Sequence, residues 1–237
     1  MVEEYISRYL EEVEDICRKI DKKEIEKFIN ILFEAWKNEK KVITMGNGGS
    51  ASTASHFTGD LLKTVANDSS QKEIREGIKG FKTICLNDNQ PALTAWINDS
   101  GWDKAYAGLL NTFLEEGDII LLVSVHGGSG WSGNLVQAMN LAKSRNAKIL
   151  GLAGFDGGKM KEMSDACIVI PKDSTPHVEG FHCVVQHLIV DKLRELINDY
   201  SKSSSLINLE KIKEKCDEPA LKNLISELLL EYRGDLK

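Results

Sequence analysis

Five short aliphatic runs punctuate the chain: KVITMG at 41–46, FKTICL at 81–86, DIILLVSV at 118–125, AKILGLAG at 147–154 and ACIVIP at 166–171. Helical patterns fill the intervals at about 50–65, 90–114, 131–145 and 157–164. Runs this short, apolar and rich in β-branched residues suit strands buried on both faces, and strands that alternate with helices are joined by crossovers into a parallel sheet. The expected fold is therefore α/β: a three-layer αβα sandwich around a five-stranded parallel sheet.

Two helices should precede the sheet. Ile6, Tyr9, Leu10, Val13, Ile16, Cys17 and Ile20 recur at three- and four-residue steps and gather on one stripe, which needs a cover from this chain or from another subunit; a second helix is expected over about 22–38. Beyond Tyr200 the polar SKSSS (201–205) reads as a break, followed by LINLEKIKEKC and PALKNLISELLLEY, with Pro219 suited to a first helical turn. Residues 1–200 are thus expected to form the main domain and 201–237 an appended helical hairpin. The stretch 66–80 is a long polar connection, expected to be a mobile loop near the site.

Composition removes several classes of function. Thirty Lys and Arg against 36 Asp and Glu leave a net charge of −6 without a basic cluster, so nucleic-acid binding is not expected. Cys17, Cys85, Cys167, Cys183 and Cys216 are scattered and form no C-x-x-C pair, which suggests reduced thiols in a cytoplasmic protein. The N-terminus is acidic and amphipathic and no apolar run reaches membrane-spanning length, so neither a signal peptide nor a membrane anchor is expected.

In an open parallel sheet, ligands sit beyond the carboxyl ends of the strands, where helix N-termini present backbone amides. Two glycine clusters occupy such places. GNGGS (46–50) follows the first strand, with Ser50 expected as N-cap, and HGGSG (126–130) follows the third, before a helix that begins near Ser132. Each alone is as consistent with a plain tight turn as with a ligand; two on one sheet favour an anion site. Neither has the form of a nucleotide P-loop or a dinucleotide fingerprint, and no nucleotide cofactor is expected.

The helix after the first cluster gathers Ala54, Phe57, Leu61 and Val65 on one side and projects His56 and Asp60 together from the other. In the helix that begins near His177, Phe181, Val184, Val185 and Leu188 form the expected apolar stripe, with Glu179, Cys183, Gln186 and His187 broadly opposite. A solvated face accounts for either set alone. However, all five histidines (His56, His126, His177, His182 and His187) fall in these few segments, and imidazole with carboxylate serves proton transfer or divalent-metal binding near neutral pH.

GNGGSASTASHF (46–57), NDSGWD (98–103), SVHGGSG (124–130) and GFDGGKM (154–160) resemble the sugar isomerase (SIS) domain of the sedoheptulose 7-phosphate isomerases, also called phosphoheptose isomerases, over about residues 1–198. The resemblance implies a SIS-fold ketose–aldose isomerase that converts sedoheptulose 7-phosphate to D-glycero-D-manno-heptose 7-phosphate, in heptose synthesis for a surface polysaccharide. It places Asn47, Gly48, Gly49, Ser50, Asn98 and Asp99 against substrate, with Ser124 and Ser129 holding phosphate in a loop that includes Val125 and His126. The acid/base and metal positions fall on His56, Asp60, Glu179 and His187, with Asp60 and His187 as proton-transfer groups and Glu179 assisting or binding metal. Imidazole and carboxylate ligands suit one zinc per subunit, with metal-free acid/base catalysis by the same side chains as the competing reading; the resemblance further implies a homotetramer with sites between subunits. Departures accompany these matches. Asp60 stands where the family usually has Glu, Glu179 where it has Gln, and Val125 and His126 replace a Thr and a Ser of a T-S-G-N-S loop that SGWSGN lengthens. They leave room for an isomerase or epimerase of another sugar phosphate. A non-catalytic binding module resembling the replication-initiator-associating protein is the other alternative, although such a module has no need of these four side chains. Glu179 and His187 lie about 12 Å apart along an unbroken helix. Either that helix starts late, with Gly180 as the break, or the two residues serve sites in different subunits.

Overall fold

The computed structural model describes residues 1–66 and 78–234. Most of the polar connection at 66–80, and the expectation attached to it, lies outside the described residues. Five parallel strands, β1 (Lys41–Gly46), β2 (Lys82–Cys85), β3 (Ile119–Val123), β4 (Lys148–Gly154) and β5 (Ala166–Ile170), form one sheet in the order β2-β1-β3-β4-β5. All five runs expected as strands are strands, and the sandwich is as expected.

Alternation along the strands divides the core. Val42, Leu121, Leu150 and Ile168 face a layer made by α1 (Val2–Lys19), α2 (Lys22–Lys37), α3 (Gly49–Lys63) and α8 (Thr175–Lys215). Ile43, Ile120, Ile149 and Cys167 face α4 (Gln90–Ser100), α5 (Ala105–Phe113), α6 (Gly133–Ser144) and α7 (Gly158–Met163). The sheet is almost wholly buried because both its faces are covered, which is why its strands read as continuous apolar runs.

The order reverses between β1 and β3, so the chain leaves these two neighbouring strands toward opposite layers. Their register pairs Gly46 with Val123, and both glycine clusters therefore emerge at the same level from adjacent strands. This is the switch point at which open α/β sheets leave a crevice.

One helical expectation needs correction. SKSSS is no break: α8 continues through it to Lys215, and α9 (Pro219–Gly234) then packs back on α8. Serine is an acceptable helix residue, and a polar stretch exposed on a helix does not by itself end one. On α1, Ile16 is buried and Val13 and Ile20 pack on the core, but Tyr5, Ile6 and Leu10 remain exposed, so this chain covers only the second half of the stripe. No helix among the described residues is long and apolar enough to cross a membrane.

Candidate active site

The first glycine loop is held from below by buried polar groups. At Gly46 an added Cβ would stand 2.5 Å from the Ser50 carbonyl oxygen, so only glycine permits this strand-to-helix turn. Asn87 donates to the Gly46 carbonyl at 3.0 Å and accepts from its amide at 3.2 Å. The Tyr106 hydroxyl donates to the same carbonyl and accepts from Asn87 Nδ2 at 2.7 Å. Burial pushes the Tyr106 hydroxyl up to about 12, so it remains a donor. Asn134 and Asn47 exchange two amide hydrogen bonds of 3.0 Å, which tie the first loop to the start of α6.

Above this base lies a cavity of about 190 Å³ between the starts of α3, α6 and α8. Asn47 and Ser50 line it from the first loop, Ser124, Val125 and His126 from the end of β3, Trp131 and Ser132 from the approach to α6, and Thr175 and Glu179 from α8. Three helix N-termini with hydroxyl donors would favour an anion here. Glu179 enters the cavity against Gly49, where an added Cβ would stand 2.7 Å from Glu179 Oε1. The His126 ring lies 4.6 Å from Trp131 and 4.4 Å from Phe155, centroid to centroid.

Not every residue expected at the substrate is here. Ser129 is exposed, and its Oγ stands against Gly158, 2.6 Å from where a Cβ there would be. Asn98 and Asp99, bonded to each other at 2.7 Å, lie on the exposed end of α4. The N-cap of α3 is Gly48, at φ 57°, while Ser50 sits buried in the first turn. Ser132, Thr175 and Trp131 were not expected as lining residues. Their only sequence signal is position just before or at a helix start, shared with many serines and threonines.

A second group stands on the outer face of the same helical layer. Asp60 Oδ2 accepts from Gln186 Nε2 at 3.0 Å, and Thr64 donates to Oδ1 at 3.2 Å. His56 Nε2 and His187 Nε2 lie 3.5 and 3.8 Å from Oδ2, with the two rings nearly perpendicular and 5.0 Å apart. Beside Asp60 and His187 opens a cavity of about 490 Å³ that reaches Arg194. His56, Asp60 and His187 are thus brought together, as the resemblance implies. Glu179 is not among them, because α8 runs unbroken through Gly180 and carries Glu179 to the other cavity. The late-start explanation for the Glu179–His187 separation therefore fails.

Cys183 stands in this group instead, its Sγ 3.8 Å from His187 Nδ1. One ligand atom from each of His56, Cys183 and His187 lies within 4.8 Å of the others. The overlooked signal was the four-residue step from Cys183 to His187, which repeats that from His56 to Asp60. Imidazole nitrogens and a thiolate with a carboxylate at hand suit zinc, so the donor chemistry fits the expected metal.

The expected stripe of α8 is rotated. Val178, Phe181, His182, Val185, Gln186 and Ile189 are buried, whereas Val184 and Leu188 are exposed on the side of Cys183 and His187. Apolarity alone misplaced the face, since His182 and Gln186 are core residues. His182 bonds the Ala153 carbonyl at 3.1 Å through Nε2, and burial holds its pKa down at about 4. His177 stacks on Tyr9 at 3.9 Å and bonds Ser174 at 2.8 Å, fastening α1 to α8. Two of the five histidines are therefore structural.

Fold and sites together define a doubly wound α/β protein with a polar cavity at its switch point and an acid–imidazole cluster nearby. A family model described as SIS domain matches residues 8–154. The lincomycin biosynthesis protein LmbN of Streptomyces lincolnensis is 39% identical over 166 residues, covering 67% of this chain; the chain spans 58% of that relative's length. Phosphoheptose isomerase of a Nitratiruptor species is 36% identical over 165 residues, covering 70% of this chain and 82% of that protein. Phosphoheptose isomerase GmhA from Neisseria gonorrhoeae shares the fold, with a TM-score of 0.71 at 23% identity over 82% of this chain and all of that one. The chain belongs to the SIS domain family and is similar to phosphoheptose isomerases within it.

Proposed function

We propose that this SIS-domain phosphosugar isomerase interconverts sedoheptulose 7-phosphate and D-glycero-D-manno-heptose 7-phosphate. The observation that carries this reading is the cradle between three helix N-termini, which offers hydroxyls and amides to a phosphate and a carboxylate, Glu179, to the sugar. The named activity of the 36% identical relative supports the choice of sugar.

The reaction needs an open-chain ketose. A base takes a proton from C1 while the C2 carbonyl oxygen gains one, forming an enediol; protonation at C2 and loss of the O1 proton then leave the aldehyde. In the metal-free form of the site, Asp60 and His187, 3.8 Å apart, provide the carboxylate and imidazole for these transfers. A zinc ion at the outer cluster would be held by His56 and His187 beside Asp60 and would supply positive charge that favours the developing enediolate oxygen.

Glu179 and His187 lie two helical turns apart, so the cradle of one chain and the outer cluster of another combine in a homotetramer. Exposed Leu62, Val184 and Leu188 around the cluster, and Tyr5, Ile6 and Leu10 on α1, provide apolar surface for such contacts. Asn98 and Asp99 belong to the same expectation, as substrate contacts from a neighbouring subunit. Light scattering at micromolar concentration should report a tetramer; a monomer overturns the shared site.

A second reading, isomerisation of a different sugar phosphate, is favoured by His126 and Trp131, whose rings occupy the loop where the family usually carries small hydroxyl residues. NMR detection of aldose formed from a panel of C5 to C7 ketose phosphates decides between them. Preferred turnover of sedoheptulose 7-phosphate supports the first reading, and preferred turnover of a shorter ketose phosphate replaces it with the second.

A further inference from the structure

We infer that Cys183 is a thiolate ligand of a divalent metal ion held together with His56 and His187, and that Asp60 orients the two imidazoles rather than serving as a fourth protein ligand. This rests on the metal reading of the outer cluster and adds to it a ligand that the resemblance did not supply.

The geometry points this way from both sides of His187. Its Nδ1 faces the Cys183 sulfur at 3.8 Å, and its Nε2 faces Asp60 at 3.8 Å. Tetrahedral zinc with Zn–S about 2.3 Å and Zn–N about 2.0–2.1 Å holds sulfur and nitrogen ligands about 3.5 Å apart, close to the observed spacing. A ligating imidazole commonly gives its second N–H to a carboxylate, which fixes the ring and raises its basicity. Asp60 occupies that place for His187, and the same oxygen stands 3.5 Å from His56 Nε2.

The carboxylate is already engaged. Gln186, buried beneath it, donates to Oδ2 and Thr64 donates to Oδ1, so Asp60 is held as an acceptor for N–H groups. Two helix faces thus meet, each with a four-residue step: His56 and Asp60 on α3, Cys183 and His187 on α8. Binding displaces the thiol proton to solvent as the metal–sulfur bond forms.

Cys183 can be tested on its own. Cys85 and Cys167 are buried among apolar neighbours, which pushes both thiols up, Cys167 to about 12, and keeps them protonated. Cys17 lies on α1 and Cys216 at the far end of α8.

The experiment uses the full chain, stripped of metal and titrated with cobalt(II) and then zinc alone. One cobalt per chain with a near-ultraviolet thiolate-to-cobalt charge-transfer band is expected. Cys183→Ser and Cys183→Ala should lose that band and bind zinc at least about tenfold more weakly, while circular dichroism and melting of the apo variants show an intact fold. Asp60→Asn should keep the band, with zinc affinity lowered about 10–100-fold, as for loss of an orienting carboxylate. Cobalt bound without the band, or unchanged zinc affinity in both Cys183 variants, overturns the thiolate assignment; loss of the band in Asp60→Asn overturns the orienting role. No cobalt binding at all overturns the metal reading with it. None of these measurements uses sugar turnover, so a wrong substrate assignment leaves them standing.

Discussion

The polar groups under the glycine loop and those of the outer cluster are built from similar side chains and differ in what completes them. Asn87, Tyr106 and Asn134 are buried and find their partners within the chain, so the loop is set before any ligand arrives. His56 and His187 are about half exposed, share one carboxylate and stand beside apolar side chains that this chain leaves uncovered. A buried polar group without a partner costs about 1–3 kcal/mol, whereas an exposed imidazole can wait for one. The interior is therefore preorganised, and the cluster is arranged for a metal, a substrate or another subunit.

The largest expected effect lies at the cluster. Asp60→Asn and His187→Ala should each lower turnover by about 10²-fold or more with little change in melting temperature. Normal turnover in both would make the cluster as self-contained as the loop base.

The interior should show itself through acid instead. His182 has a folded pKa of about 4 against 6.5 when free, so the unfolded chain takes up a proton first as pH falls. The stability that neutral His182 retains above pH 6.5 should decline between pH 6.5 and 4, by about 3 kcal/mol in all. Urea unfolding across this range should give a shallower pH slope in His182→Leu; an unchanged slope would show that the ring is not held neutral.

Binding should separate the two serines expected at phosphate. Ser124→Ala removes a hydroxyl from the cradle and should weaken substrate binding by about 1.5–3 kcal/mol, the range for a hydrogen bond to a charged group. Tyr106→Phe should cost about 1–1.5 kcal/mol of stability in denaturant titration, because Asn87 still serves the Gly46 carbonyl. Ser129→Ala, exposed and turned toward Gly158, should change KM by less than about twofold, within the usual range for surface substitutions. An effect of Ser129→Ala as large as that of Ser124→Ala would return Ser129 to the phosphate.

Where an expectation held, the signal was local. Ala54, Phe57, Leu61 and Val65 are buried and His56 and Asp60 point away from them, because a helix converts spacing into direction. Where one failed, two faces competed. Val184 and Leu188 are as apolar as Val185 and Ile189, and only the packing of α8 on the sheet decides which pair is covered. Ser129 and Ser132 likewise look alike in sequence, and the backbone path through His126–Gly133 turns only the second into the cradle.

By itself the sequence determined the order and type of the elements, the strand ends that carry glycine and the pairing of His56 with Asp60, since each follows from periodicity or steric permission within one segment. Tertiary structure alone decided that Glu179 belongs to the loop cavity, that Gln186 and His182 are core and that Cys183 meets His187 and His56. Those relations depend on how α8 crosses α3 and the sheet, and a helix rotation of one residue, about 100°, would exchange buried and exposed positions without any change in composition.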